Sequence, residues 1–179
     1  MLHFFCKLQK GNEHFSLLIR CFAMKMHRLH TKQWLPLTPA EAWDFFSIPE
    51  NLDRITPEDM SFRILSGGGQ KTFSGHIICY TVKPLFGIPM KWVTEIVHEE
   101  EGVYFVDEQR FGPYRFWHHM HRFTPDNGGV LMEDVLHYAL PFGQLGELFG
   151  GFIHRKVKGI FSFRETTLET LFPGAHSPE

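Results

Sequence analysis

Between Ser61 and Leu140 the sequence reads as six extended runs in unbroken succession: Ser61 to Leu65, Phe73 to Val82, Met90 to His98, Val103 to Gln109, Tyr114 to Phe123 and Val130 to Leu140. The runs are rich in β-branched and aromatic residues, which suit a pleated, half-buried surface. The joints between them contain Gly67-Gly68-Gly69, Pro84 to Pro89, Glu99 to Gly102, Gly112-Pro113 and Asp126-Asn127-Gly128-Gly129. All are short and turn-like, so neighbouring runs pair antiparallel as a meander. A long curved sheet is the expected product.

The flanks carry helical signals. His27 to Leu37 reads as a further strand, and it ends at Thr38-Pro39-Ala40-Glu41, a Thr-x-x-Glu capping box with proline at the first helical position. The short helix that starts there carries Ala42, Trp43, Phe45 and Phe46, and it stops before Ser47-Ile48-Pro49 because a residue preceding proline disfavours helix. Asn51 to Asp59 reads as another turn of helix. From Leu145 to Phe172 apolar residues recur at three and four: Leu145, Leu148, Phe149, Phe152, Ile153, Val157, Ile160, Phe161, Leu168, Leu171 and Phe172. This spacing predicts one long C-terminal helix, whose apolar stripe must lie in the concave face of the sheet. Gly146, Gly150, Gly151 and Gly159 weaken such a helix by up to about 1 kcal/mol each relative to alanine, which predicts close packing or empty space beside it. The expected class is α+β: a curved antiparallel sheet wrapped around a terminal helix, with two short helices after the first strand.

A chain of 179 residues suits one domain, able to bury roughly 70% of its extended surface. Residues 25–173 are read as that domain, 1–24 as an N-terminal extension without clear periodicity, and 174–179 as a tail. At 43% hydrophobic and 21% charged the composition excludes disorder for most of the chain. Lys plus Arg is 18 against 20 for Asp plus Glu, a net charge of -2 that argues against nucleic acid as a main partner. The apolar run Phe15 to Met24 is broken by Arg20 and is too short to span a bilayer, so no stable membrane insertion is expected. Cys6, Cys21 and Cys79 have no CxxC spacing and suggest neither a disulfide framework nor a structural zinc site, which fits a reducing cytoplasm. The unusual counts are 19 Phe and 12 His, which point to an aromatic interior with titratable groups in it.

The order strand, helix-helix, six strands and long helix resembles the helix-grip fold of the SRPBCC superfamily, also called START or Bet v 1-like. The segments Trp43-Asp44-Phe45-Phe46, Ile55-Thr56-Pro57, Gly112-Pro113-Tyr114, Trp117-x-His119-x-His121-x-Phe123 and Leu140-Pro141-Phe142-Gly143 resemble its bacterial ligand-binding group, related to the polyketide cyclase/dehydrase and coenzyme Q-binding branches. The resemblance runs from His27 to Phe172. It implies a hydrophobic cavity between sheet and helix that holds a lipid, polyketide or quinone-like molecule, with catalysis in only some members. It implies no cofactor, and the fold does not generally need a metal.

Alternation along a strand puts Arg115, Trp117, His119, His121 and Phe123 on one face. A hairpin turning symmetrically around Asp126 to Gly128 sets His119 opposite Asp134 and His121 opposite Met132. Asp134 shares its face with Leu136, Tyr138 and Leu140, and the preceding strand offers Phe105, Asp107 and Gln109 at the same period. Tyr80, Trp92 and Trp117 supply flat surfaces for a ligand, beside Thr94. The expected ligand-binding set is therefore Tyr80, Trp92, Thr94, Phe105, Asp107, Gln109, Trp117, His119, His121, Asp134 and Leu136, with Phe149 and Phe152 from the long helix. His119, Asp134, Asp107 and Gln109 would satisfy one another's hydrogen bonds or orient the polar end of an apolar molecule. Alternatively, His119 would move a proton while Asp134 holds its tautomer, as cyclisation or dehydration requires. The spacing also permits a metal site of His119, His121 and Asp134, but no metal is expected.

Three other features carry bland readings. Ser66 to Thr72 lacks the glycine before Lys71 that a phosphate loop requires and reads as a hairpin loop. Pro84 to Pro89 is an apolar loop that reads as a packed edge or, in a helix-grip protein, as a cavity lip, and His154, Arg155, Lys156 and Lys158 form the solvated face of the long helix. The expected function is carriage or sensing of a hydrophobic small molecule. The alternatives are a cyclase/dehydrase-type enzyme using His119 and Asp134, and a non-catalytic accessory domain that contacts an unidentified protein.

Overall fold

Thr38 begins the helical part of the chain as the sequence predicts. Its Oγ1 accepts the Glu41 backbone N–H at 3.2 Å, while Glu41 Oε2 accepts the Thr38 backbone N–H at 2.8 Å. The computed structural model describes residues 25–84 and 87–178; the expected extension, with Cys6 and Cys21, and part of the Pro84 to Pro89 loop lie outside them. In chain order the elements are β1 (His27–Leu35), α1 (Pro39–Phe46), α2 (Asn51–Arg54), a 3-10 turn (Glu58–Met60), β2 (Arg63–Ser66), β3 (Ile77–Val82), β4 (Met90–Glu100), β5 (Tyr104–Phe111), β6 (Phe116–Asp126), β7 (Gly129–Ala139), α3 (Gln144–Glu147) and α4 (Gly150–Leu171).

The strands form one seven-stranded antiparallel sheet in the order β1-β7-β6-β5-β4-β3-β2. The strands of the meander, β2 to β7, pair in sequence, and β1 joins the far side of β7. The fold is α+β, a curved open sheet gripping a long C-terminal helix. Gln33 on β1 ties sheet to helix by donating to the Glu165 carbonyl of α4 at 2.9 Å.

The β6–β7 register differs from the expected one by two residues. Asn127 and Gly128 have φ of 45° and 81°, the left-handed pair that a two-residue hairpin turn demands, so Asp126 faces Gly129. His119 consequently pairs with Leu136 and His121 with Asp134. Because the shift is an even number, every side chain keeps its face. Gly129 is also required by packing, since a Cβ there would lie 2.4 Å from the Trp34 ring.

The C-terminal helix departs further from expectation. The stretch from Leu145 is broken into α3 and α4 at Leu148 and Phe149, after a turn in which Phe142 and Gly143 both have positive φ. A Cβ at Gly146 would sit 2.0 Å from the Pro141 carbonyl oxygen, so the backbones touch there, whereas Gly151 and Gly159 face open space. The buried stripe of side chains begins only at Val157 and continues through Phe161, Arg164 and Leu168. Leu145, Leu148, Phe149 and Phe152 precede that contact and are exposed, Phe149 at 67%.

Candidate functional site

The inward faces of β3 to β7 carry the site. Their alternation turns Ile78, Tyr80 and Val82, then Trp92, Thr94 and Ile96, then Phe105 and Asp107, then Trp117, His119 and His121 toward the helices. α1 and α2 contribute Phe45, Phe46 and Leu52 from one side, and α4 contributes Ile160, Phe161 and Arg164 from the other. Between them lies a cavity of about 160 Å³. Its aromatic wall is ordered: Tyr80 stacks on Trp92 at 5.9 Å, and Trp117 meets Trp92 edge-on at 5.1 Å.

Polar groups gather where β5, β6 and β7 run side by side. His119 Nε2 lies 2.8 Å from Asp134 Oδ1 and His121 Nε2 lies 3.1 Å from Asp107 Oδ1, both hydrogen bonds. The two rings are 3.9 Å apart between centroids. Each imidazole also turns its other nitrogen toward the second carboxylate: His119 Nδ1 is 3.4 Å from Asp107 Oδ1, and His121 Nδ1 is 2.9 Å from Asp134 Oδ1. The latter approach is close but misaligned, leaving that nitrogen without a hydrogen bond. Arg164 Nη1 stands 3.4 Å from Asp134 Oδ1, and its guanidinium lies 5.1 Å above the Phe161 ring.

This arrangement sets the charges. Burial alone would raise the Asp134 carboxyl, but the Arg164 charge, the nearby His121 ring and the His119 bond hold it well below the ordinary range. Burial likewise opposes ionisation of Asp107, and bonds from His119 and His121 overcome it. Burial disfavours the His119 imidazolium, yet Asp107 and Asp134 together push its pKa up.

Other polar atoms meet the cavity. The Tyr80 and Thr94 hydroxyls bond each other at 3.1 Å. Burial raises the Tyr80 phenol far above its usual value, so it stays neutral. Trp92 Nε1 and Thr72 Oγ1 are buried without protein partners. Unpaired buried donors of this kind cost about 1–3 kcal/mol each, which water or a ligand acceptor relieves.

Of the residues named from sequence, Tyr80, Trp92, Thr94, Phe105, Asp107, Trp117, His119 and His121 line the cavity. Asp134 stands behind the two histidines. Leu136 packs with Val157 and Phe161, and Gln109 clamps the Tyr114 backbone with bonds of 2.7 and 3.2 Å, so both are structural. Phe149 and Phe152 lie outside the cavity, because α4 first meets the sheet at Ile153 and His154, on Tyr138, and enters the cavity wall only at Ile160. Sequence reading missed Arg164. The signal was a charged residue at the 157, 161, 164, 168 spacing of the apolar stripe, where a cation is buried only if something inside receives it.

The chain has the helix-grip, Bet v 1-like fold. No family model matches the sequence, and no curated protein is significantly similar to it. Solved structures are. TTHA0849 from Thermus thermophilus shares 13% identity over 80% of this chain and 95% of its own, with a TM-score of 0.61. Ms6760 from Mycobacterium smegmatis shares 16% over 83% and 95%, with a TM-score of 0.60. Ara h 8.0201, of the Bet v 1 allergens, shares 15% over 82% and 99%, with a TM-score of 0.53. Among the described residues no helix is long and apolar enough to cross a membrane.

Proposed function

We propose that this chain binds a small apolar molecule of about single-ring size between sheet and helices, as a carrier or sensor. The observation that carries this reading is the unfilled space of about 160 Å³ behind an ordered aromatic wall. An engineered apolar cavity of roughly 150 Å³ is large enough to take benzene. Burying Trp and Phe beside a space costs dispersion contacts that a guest restores. Trp92 Nε1, Thr72 Oγ1 and the Tyr80–Thr94 hydroxyl pair are placed to orient an oxygen acceptor on that guest. Native mass spectrometry of the purified protein tests this. An adduct released by organic solvent, or a change in tryptophan emission on adding p-cresol, is the expected result; neither appearing counts against it.

A second reading, proton transfer, is favoured by His119, which lines the cavity while Asp134 holds its Nε2 from behind. In that reading His119 relays a proton to or from the guest and Asp134 stabilises the imidazolium. Turnover unaffected by His119→Gln would eliminate it.

A further inference from the structure

Asp107, His119 and His121 each offer one ligand atom, and the three atoms lie within 4.8 Å of one another. The two distances from Asp107 Oδ1 are those of ligands on a single ion. Metal–nitrogen and metal–oxygen bonds near 2.0–2.1 Å at tetrahedral angles set ligand atoms roughly 3.3 Å apart. His119 Nδ1 and His121 Nε2 stand 3.4 and 3.1 Å from Asp107 Oδ1. We propose that Asp107 Oδ1, His119 Nδ1 and His121 Nε2 bind one divalent first-row transition metal ion, zinc being the type, at the floor of the cavity.

The surroundings are those such a site needs. A histidine that ligates through one nitrogen is fixed by a carboxylate on the other. Asp134 Oδ1 does this for both rings, at 2.8 Å from His119 Nε2 and 2.9 Å from His121 Nδ1. In the tautomer that carries its proton on Nδ1, His121 points that proton toward Asp134 Oδ1 and offers the Nε2 lone pair to the ion. Arg164 satisfies the charge of Asp134 and leaves Asp107 as the one carboxylate of the cluster not committed to a permanent cation. All three proposed ligands line the cavity and Asp134 does not, so an ion would keep an open position toward the guest. Two imidazoles and one carboxylate suit zinc, iron or cobalt, whereas magnesium and calcium prefer all-oxygen sets. The sequence reading placed Asp134 in such a triad; the register makes Asp107 the ligand and Asp134 its support.

The test uses the whole chain, freed of metal by chelator and titrated with Co²⁺ with no organic ligand present, so its outcome is separate from that of the cavity reading. One Co²⁺ per chain with a visible absorption band, displaced by Zn²⁺, is expected. Asp107→Asn and His121→Gln should abolish the band while near-ultraviolet circular dichroism stays native, and Asp134→Asn should weaken binding roughly 10–100-fold. Replacing His118 and His137, on the opposite face of the sheet, by alanine should change nothing. The proposal is overturned by absence of a band, by a band that survives Asp107→Asn, or by one lost with His118 and His137. Should the buried variants unfold, X-ray absorption of the zinc-loaded natural chain decides: two imidazoles and a carboxylate support the site, an all-oxygen shell refutes it.

Discussion

Replacing Arg164 by methionine probes the cluster most sharply. The side chain is on a residue 7% exposed, and its Nη1 is 3.4 Å from Asp134 Oδ1, itself on a residue 5% exposed. At an effective dielectric constant of about 20, unit charges at that distance attract by roughly 5 kcal/mol. Removing one member of a buried pair typically costs about 3–5 kcal/mol, since the remaining charge stays desolvated. Asp134 would keep the His119 bond of 2.8 Å, which moves the expectation toward the lower end. Loss of the guanidinium from the Phe161 face adds about 0.5–2 kcal/mol. Arg164→Met should therefore lower the urea unfolding free energy of the metal-free protein by about 3–5 kcal/mol, a large share of the roughly 5–15 kcal/mol typical of a domain. In Asp134→Asn the same replacement should cost at least about 2 kcal/mol less. A loss below about 1 kcal/mol in the natural background would refute the buried pair.

Gly159 lies within α4 facing open space, so Gly159→Ala should raise stability by up to about 1 kcal/mol, whereas Gly146→Ala should lower it by forcing the Pro141 carbonyl away; thermal melts distinguish the two. Glu133 on β7 faces Lys32 at 2.8 Å and His30 at 3.3 Å from β1 and pairs with Arg122 of β6, and the Lys32 bond holds its pKa below the ordinary glutamate value. A lowered folded pKa gives stability that is present above the unfolded value of about 4.3 and is lost as pH falls through the folded one. The difference between the natural chain and Glu133→Gln, under about 1 kcal/mol at pH 6 for so exposed a partner, should thus vanish near pH 3. Tyr80→Phe and Thr94→Val should each cost about 1–3 kcal/mol by orphaning the other hydroxyl, and the double replacement less than their sum.

The sheet was legible because alternation and turn chemistry are local: Asn127-Gly128 announces its hairpin, and Thr38 to Glu41 announces its helix. Parity also carried across the register error, so His119, His121 and Asp107 were placed on the right face, and the expected His119–Asp134 bond forms although the register partners differ. The long helix was misread at its start because periodicity records apolar spacing and not contact. Leu145, Leu148 and Phe149 keep the spacing but lie before the point where α4 meets the sheet. Arg164 stood out by its spacing on the apolar stripe, but its partner did not. Its place inside depends on Asp134, 30 residues away and on another element, and no local pattern encodes that pairing.

Methyl-resolved NMR during a toluene titration tests the central claim directly. Toluene should move the methyl signals of Ile78, Val82 and Ile96, which line the cavity, in saturable fashion, and Val82→Phe should suppress the effect. Shifts confined to Leu145 and Leu148 on the surface, or none at all, would contradict an interior that receives a guest.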